Sequence, residues 1–213
     1  SSDVCSSDLH EGVVPNPQLT RLIGCEHRWD AAQRCFHPVL SDRGETSVPG
    51  VFVAGDGGGI GGAPAAENTG RIAALEIAEE LGAVNRPSGD IEIVKARDNL
   101  RAQMAVRPLL DAMYPPPDWI GKLDGDVPVC RCEEVSARAV RGAAADGAPG
   151  PNQATAFLRA GMGPCQGRMC GLTVTEILAD AHGKEPDAIG YYRIRPPIKP
   201  VTVGELAAQD GED

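Results

Sequence analysis

The stretch VFVAGDGGGIGGAPAAENTGRIAALEIAEELG, Val51 to Gly82, decides the fold. VFVAGD, Val51 to Asp56, is a short β-branched apolar run of the kind found in buried parallel strands. Gly57 to Gly70 reads as a glycine-rich turn. RIAALEIAEELG, Arg71 to Gly82, reads as a helix. Ile72, Leu75, Ile77, Ala78 and Leu81 form its apolar face, and Gly82 is its C-terminal stop. The unit is strand, glycine loop, helix. The loop formally matches G-x-G-x-x-G, but any glycine run can. A dinucleotide fingerprint also needs an acidic residue about 20 positions on, at the end of a second strand. Here that place falls around Glu76 to Glu80, inside the helix, so the fingerprint is rejected.

Composition bounds the rest. The chain has 213 residues, 42% apolar and 23% charged, enough for a buried core and too apolar for wholesale disorder. Gly and Pro make up about a fifth of it, against roughly 12% in average proteins, so loops and close backbone approaches are common. The formal net charge of −10 argues against nucleic acid as a partner. No window of 18 uninterrupted apolar residues offers a membrane span. Seven cysteines with no secretory signal favour ligand or redox chemistry over a disulfide framework.

The opening SSDVCSSDL, Ser1 to Leu9, has no periodicity and resembles a translated sequencing-library adapter, so it is set apart from the fold, and Cys5 is expected to have no role. The rest is then expected to be the C-terminal part of a longer chain. His10 to Leu40 reads as irregular with one or two short strands, followed by a turn at Asp42 to Glu45. Asn85 to Gly89 is a linker by composition. Ile91 to Leu110 suits a helix, which YPPPDW, Tyr114 to Trp119, breaks. Further helices are expected at Ser136 to Ala145, Ala154 to Ala160 and Thr173 to His182, with Thr173 as a cap. The tail YYRIRPPIKPVTVGEL is Pro-rich and extended.

Cys130-Arg131-Cys132 and Cys165-Gln166-Gly167-Arg168-Met169-Cys170 form C-x-C, a gap of 32 residues, then C-x4-C. Two close pairs on loops flanking helices can bring four thiolates to one place, which suits zinc or an iron–sulfur cluster. C-x-C is tight for structural zinc, and a two-iron cluster tolerates it better. Gly161, Gly163, Gly167 and Gly171 let backbone N–H groups approach sulfur, and Arg131, Arg159 and Arg168 offset negative charge. Spacing favours iron–sulfur, with zinc and unliganded thiols remaining open. Cys25, His27, Cys35 and His37 read as packing residues rather than a metal set. His182 reads as a charge partner near a helix C-terminus, Trp29 and Trp119 as packing anchors, and Glu133-Glu134 as a solvated helix start.

VCRCEEV, Val129 to Val135, and RAGMGPCQGRMCG, Arg159 to Gly171, resemble the two ligand loops of the bacterioferritin-associated-ferredoxin-like (BFD-like) [2Fe-2S] domain at the C-terminus of certain FAD oxidoreductases. The resemblance implies Cys130, Cys132, Cys165 and Cys170 as ligands of a [2Fe-2S] cluster. The stretch DGAPGPNQATAF between the pairs departs from it, being rich in Pro and Gly where the family is more helical. VPGVFVAGDGGGIGGAPAAENTGRIAALEIA is similar to the C-terminal flavin-binding segment of oxidoreductases with two dinucleotide-binding domains. There the Asp of the A-G-D motif, here Asp56, hydrogen-bonds the ribityl–pyrophosphate region of FAD. Gly55, Asp56, Gly57, Gly61, Gly62 and Ala63 are the implied flavin contacts, at a helix N-terminus whose partial positive charge favours an electron-rich reduced flavin. EGVVPNPQLTRLIGCEHRWD resembles the linker that precedes this segment. Together with the tail, the chain resembles the family that includes the opine oxidase alpha subunit, the hydrogen cyanide synthase B subunit and related D-amino-acid or hydroxyproline dehydrogenase subunits.

The implied fold is an α/β remnant of a two-dinucleotide-binding-domain flavoprotein followed by a small, mainly helical [2Fe-2S]-binding domain. The expected boundaries are 1–9 for the adapter-like segment, 10–85 for the FAD-domain segment, 86–186 for the [2Fe-2S] domain with a leading helix, and 187–213 for the tail. The implied function is electron transfer, within an oxidoreductase holding FAD and a [2Fe-2S] cluster, during oxidation of a small amine or amino acid of the opine, glycine, D-amino acid or hydroxyproline class. No residue stands out as a catalytic acid or base, and substrate oxidation falls to a flavin-containing partner subunit in a hetero-oligomer. The electron acceptor is a protein or a quinone, and the expected place is the cytoplasm, or the periphery of the inner membrane through partners. A ferredoxin-like carrier and a zinc-stabilised interaction domain are the alternatives. With too few residues before Val51 for a phosphate-binding βαβ unit, the 213-residue chain alone is expected to bind FAD poorly.

Overall fold

The computed structural model describes residues 13–84 and 86–208. The adapter-like segment, with Cys5, lies outside them. Two compact units part between Pro117 and Asp118, within the Pro-rich break.

The first unit opens with α1 (Gln18–Ile23), closed by Gly24 in the left-handed conformation, where φ is 90°. A two-stranded antiparallel hairpin follows, β1 (His27–Asp30) on β2 (Cys35–Pro38), with Trp29 opposite Phe36. Their rings meet edge to face at 5.0 Å, so Trp29 does act as a packing residue. Then come a 3-10 turn at Gly55–Gly58 and the long helix α2 (Ala63–Glu80).

Two expectations fail here. Val51 to Asp56 is not a strand; its one ladder contact is an isolated antiparallel bridge from Phe52 to Glu45. A parallel strand requires neighbours brought alongside by crossover connections of a dozen or more residues, and the described residues supply none. The α/β expectation is therefore met with helices and two small antiparallel ladders, without a parallel sheet among the described residues. The second failure is the start of α2, which lies eight residues before Arg71, inside the expected turn. Pro64 explains this, because proline is preorganised for the first helical turn, where its missing N–H costs nothing.

α2 packs on α3 (Arg86–Met104). α2 buries Ala65, Ile72, Ala73 and Glu76, and α3 buries Ile93 and Ala96. Ile77 and Leu81 from the expected apolar face are exposed, because α3 meets α2 on the side that carries Glu76, whose carboxylate pairs with Arg97 of α3. Glu76 is 4% exposed and is neutralised from two sides, by Arg43 at 3.2 Å and Arg97 at 3.3 Å. A carboxylate buried this deeply requires such pairing. α3, the helix expected to lead the cluster domain, thus belongs to the first compact unit. α4 (Arg107–Met113) completes the unit.

The second unit is built around α7 (Gly171–His182), whose Val174, Thr175, Ile177 and Leu178 are completely buried. Burying a side chain such as Ile177 or Leu178 contributes about 1.5–3 kcal/mol. Around α7 stand α5 (Ala137–Ala145), α6 (Pro151–Leu158), α8 (Pro186–Ile189) and a 3-10 turn at Asp118–Lys122. Gly121 of that turn approaches α7 so closely that a Cβ would meet the Glu176 carbonyl at 3.1 Å. Arg141 on α5 binds the Leu123 carbonyl at 2.8 Å, the Gly121 carbonyl at 2.7 Å and Asp180 on α7 at 2.7 Å, linking all three elements. A second hairpin pairs β3 (Pro128–Cys130) with β4 (Val135–Ser136). Ser136 caps α5 through the N–H of Ala139 at 3.3 Å.

Thr173 is not the cap of α7; Cys170 holds that position, so the second cysteine loop runs directly into the helix. Glu133 and Glu134 lie in the β3–β4 turn rather than in a helix start. His182 does sit in the last turn of α7, with Nε2 2.9 Å from the Ala148 carbonyl. Trp119 remains 49% exposed, which is too open for a packing anchor. The head of the tail is not free: Tyr191 and Tyr192 are buried. A short α9 (Val203–Ala207) follows, with a full capping box between Thr202 and Glu205. No helix among the described residues is long and apolar enough to cross a membrane.

Candidate functional site

The second unit carries the four expected cysteines, which approach one another in two pairs. Cys130 ends β3 and Cys132 sits in the tight turn after it, where Glu134 takes a positive φ of 54° to bring the chain back into β4. Cys165 and Cys170 lie in the loop 163–170 that enters α7. The thiols pair across the loops, Cys132 with Cys165 and Cys170 with Cys130. Cys130 and Cys170 are each 1% exposed, whereas Cys132 is exposed and Cys165 half-buried.

The two ends of this quartet differ electrostatically. Burial pushes the Cys165 thiol up, but the backbone N–H of Met169, the Cys132 thiol and the N–H groups of Gly167 and Arg168 outweigh it and bring Cys165 below its ordinary value. A left-handed Gly167, φ 79°, and a left-handed Gln166, φ 50°, turn these N–H groups onto one sulfur. Burial, together with the neighbouring Cys130, pushes Cys170 up to about 12. A thiolate ligand set would reverse that cost only by binding positive charge.

Glycines make the approach of the loops possible. A Cβ on Gly163 would collide with the Cβ of Cys132. A Cβ on Gly161 or Gly167 would each come within 2.8 Å of the Tyr192 ring. Arg168 holds the loop from outside, donating to the Cys165 carbonyl at 3.1 Å and to the Ile198 carbonyl in the tail at 2.5 Å. Arg159 is engaged by Glu133 at 2.9 Å rather than by a cysteine. Among the described residues, no group of three or more His, Cys, Asp or Glu side chains is gathered as a single metal ion would need. The thiols approach in two pairs, with backbone donors on Cys165, and four cysteine sulfurs are the donor chemistry a two-iron cluster takes.

The first unit carries a cavity of about 530 Å³ beside the glycine loop. Of the implied flavin contacts, Gly55, Asp56 and Gly61 line it, and Gly57, Gly62 and Ala63 do not. The loop is fixed from three directions. Gly55 donates its N–H to Thr69 on α2 at 2.8 Å. Ile60 and the Gln33 side chain exchange hydrogen bonds of 3.1 and 3.0 Å, pinning the loop to the β1–β2 turn. Asp56 Oδ1 accepts from the N–H groups of Gly61 at 2.9 Å and Gly62 at 3.0 Å.

This last contact is not legible in the sequence. Asp56 closes its own loop at the start of α2, its carboxylate taking N–H groups that the helix start would otherwise leave unpaired. Gly59, φ 134°, and Gly62, φ 89°, each have open space where a Cβ would stand, so the loop presents bare backbone. The cavity wall also carries Arg43 and Arg97, the partners of Glu76, and Arg28, whose Nε donates to His37 at 3.4 Å. The bare-backbone loop beside the cavity leaves room for part of a dinucleotide such as FAD, while the N–H groups of Gly61 and Gly62 are taken by Asp56, and Arg43 and Arg97 by Glu76.

Cys25, His27, Cys35 and His37 are not assembled as a metal site. Cys25 bonds Thr46 at 3.4 Å, and His27 lies 2.8 Å from both the Cys25 carbonyl and the Thr20 hydroxyl. Cys35 is wholly buried, and burial followed by the charge of Asp30 pushes its thiol up to about 12. Among the described residues no cysteine is in a disulfide.

Several known proteins resemble the chain. Residues 128–210 match the sarcosine oxidase A3 domain. The chain is similar to the A subunit of opine oxidase from Rhizobium meliloti, at 46% identity over 93% of this chain and 38% of that protein. The corresponding opine oxidase subunit of Agrobacterium tumefaciens is 44% identical over 93% of this chain and 40% of its own length. The hydrogen cyanide synthase subunit HcnB of Pseudomonas protegens is 29% identical over 94% of this chain and 42% of that protein. The chain thus spans about two fifths of the length of the curated relatives it matches. In fold it is similar to L-proline dehydrogenase from P. horikoshii, with a TM-score of 0.73 at 23% identity, covering 92% of this chain and 37% of that one. Over more than nine tenths of its length the chain is similar to subunits of oxidoreductases.

Proposed function

We propose that this chain is the C-terminal, electron-transferring part of an oxidoreductase subunit that holds FAD and a [2Fe-2S] cluster. The observation that carries this reading is the meeting of Cys130, Cys132, Cys165 and Cys170 across two glycine-shaped loops, with three backbone N–H groups on Cys165. The cluster supplies one-electron transfer when bound, and flavin chemistry links that to two-electron oxidation. The chain's own residues hold the thiols in register, shield Cys130 and Cys170 from water and leave Cys132 open to solvent. In the first unit the glycine loop and the start of α2 supply part of a flavin site, with Asp56 keeping the loop closed.

The substrate class follows the relatives, which are named for opine oxidation and hydrogen cyanide synthesis, and comprises small amines or amino acids. Those relatives are named as subunits, which supports a hetero-oligomer in which a second, flavin-containing subunit oxidises the substrate. The test is anaerobic purification of the full chain with metal analysis, a visible spectrum and an EPR spectrum after dithionite. About two irons per chain with a reduced-state signal is the expected result. Zinc in place of iron, or free thiols with no metal after anaerobic iron and sulfide loading, would overturn the reading.

A further inference from the structure

The tail contributes a residue to the cysteine site that spacing does not reveal. Tyr192 is 6% exposed, and its hydroxyl lies 4.0 Å from Cys170 Sγ. Its ring fills the slots left by Gly161 and Gly167, where a Cβ would approach it to 2.8 Å. The tail is held there on both sides of the ring. Asn152 on α6 donates to the Tyr191 carbonyl at 3.3 Å and accepts from the Arg193 N–H at 2.8 Å. Farther along, Arg168 of the cysteine loop reaches the Ile198 carbonyl. A phenol is thus fixed against a buried sulfur by the loop that carries that sulfur.

Resting on the proposed cluster, we infer that Tyr192 is a positioning residue that donates its hydroxyl hydrogen bond to the Cys170 thiolate and raises the reduction potential of the cluster. A ligand thiolate carries no proton, so in this pair the phenol is the donor. The neighbouring Thr155 hydroxyl donates its own proton to the Ala160 carbonyl at 2.8 Å, and a charged sulfur attracts the phenol proton more strongly than a neutral hydroxyl. A hydrogen bond to a ligand sulfur stabilises the reduced, more negative state of the cluster, and hydrogen bonds to sulfur are among the determinants of its potential.

The experiment is a redox titration of the iron-loaded full chain, followed by EPR, for the wild type and Tyr192→Phe. Phe keeps the ring in the glycine slots and removes only the donor. The expected result is unchanged iron content with the midpoint potential lowered by about tenfold in the reduction equilibrium, or ~59 mV for one electron. A second protein carries 3-fluorotyrosine at position 192, a stronger donor of similar size, and its potential is expected to rise. Should Tyr192→Phe fail to hold iron, this second protein decides, and a potential equal to that of the wild type would overturn the inference. Equal potentials in the wild type and an iron-loaded Tyr192→Phe overturn it as well, while leaving the cluster reading intact. A wild-type chain that takes up no iron overturns both.

Discussion

Gly163 and Cys132 touch across the two cysteine loops, and the place that a Cβ on Gly163 would take is occupied by the Cβ of Cys132. The loops can close on one another only while position 163 has no side chain. Gly163→Ala is therefore expected to push the C-x-C turn away from Cys165 at a cost of about 1–3 kcal/mol. Iron per chain should fall by more than half while the far-UV circular dichroism is retained. Full iron loading of Gly163→Ala would show that the loops do not need this contact.

Cysteine substitution separates the ligand set from the packing cysteines. Ala at Cys130, Cys132, Cys165 or Cys170 is expected to remove most of the iron and the visible absorbance after anaerobic loading. Cys25→Ala and Cys35→Ala should keep both, because those thiols contact Thr46 and the hairpin core in the first unit. Cys35→Ala is expected to lower stability by about 1 kcal/mol through the small cavity it leaves. Loss of iron in Cys25→Ala or Cys35→Ala would contradict this division.

Asp56 bonds two backbone N–H groups of its own loop, so its removal acts first on loop closure. Asp56→Ala is expected to cost about 1 kcal/mol, in the range of a lost helix cap, and to speed hydrogen exchange at Gly61 and Gly62. In a full-length subunit it should also weaken FAD binding severalfold, with Asp56→Asn intermediate because one amide oxygen remains as acceptor. Unchanged exchange at Gly61 and Gly62 in Asp56→Ala would count against the closing role.

His27 supplies a pH dependence. Burial first, then the charge of Arg21 and proximity to His37, lower it from 6.5 to about 4, while the Cys25 carbonyl partly opposes the shift. Between those two values the unfolded chain binds a proton that the folded chain does not, so stability rises with pH across this window. The contribution is complete above about pH 6.5 and is lost as the pH falls toward 4. With the ring only half-buried, solvent screening leaves about 1–2 kcal/mol. An NMR titration of the His27 ring should give a midpoint near 4, and a midpoint near 6.5 would remove the effect.

Cavity formation at α7 tests the scaffold. Leu178→Ala is expected to destabilise the second unit by about 2–5 kcal/mol, since Leu178 is fully buried. The N-cap of α7 is Cys170, so iron affinity should fall along with stability. Thermal unfolding followed by visible absorbance reads both, and loss of stability with undiminished iron affinity would uncouple the helix from the site.

Local chemistry makes some of this protein readable from the chain alone. The helix after the glycine loop follows from its apolar spacing, and Gly82 ends it with a φ of 68° because only glycine takes that conformation freely. The four cysteines are identified by spacing and resemblance, since C-x-C and C-x4-C each keep two sulfurs on one short loop. The expected burial of Ile77 and Leu81 and the expected strand at Val51 fail for one reason. Burial and strand pairing depend on which partner lies alongside, and periodicity names a face without naming what covers it.

By itself, the sequence determined the loops, the thiols within each loop and the helix that follows the glycines, all consequences of residues close together along the chain. Only the tertiary structure decided that Cys132 faces Cys165 and Cys170 faces Cys130, that Asp56 closes its own loop, and that Tyr192 reaches the sulfur of Cys170. Those pairings join residues as many as 40 positions apart. The cysteine and tyrosine pairings arise from α7 packing against its neighbours and from glycines with no Cβ to hold the loops apart, and the Asp56 contact from the turn that the glycine loop makes before α2.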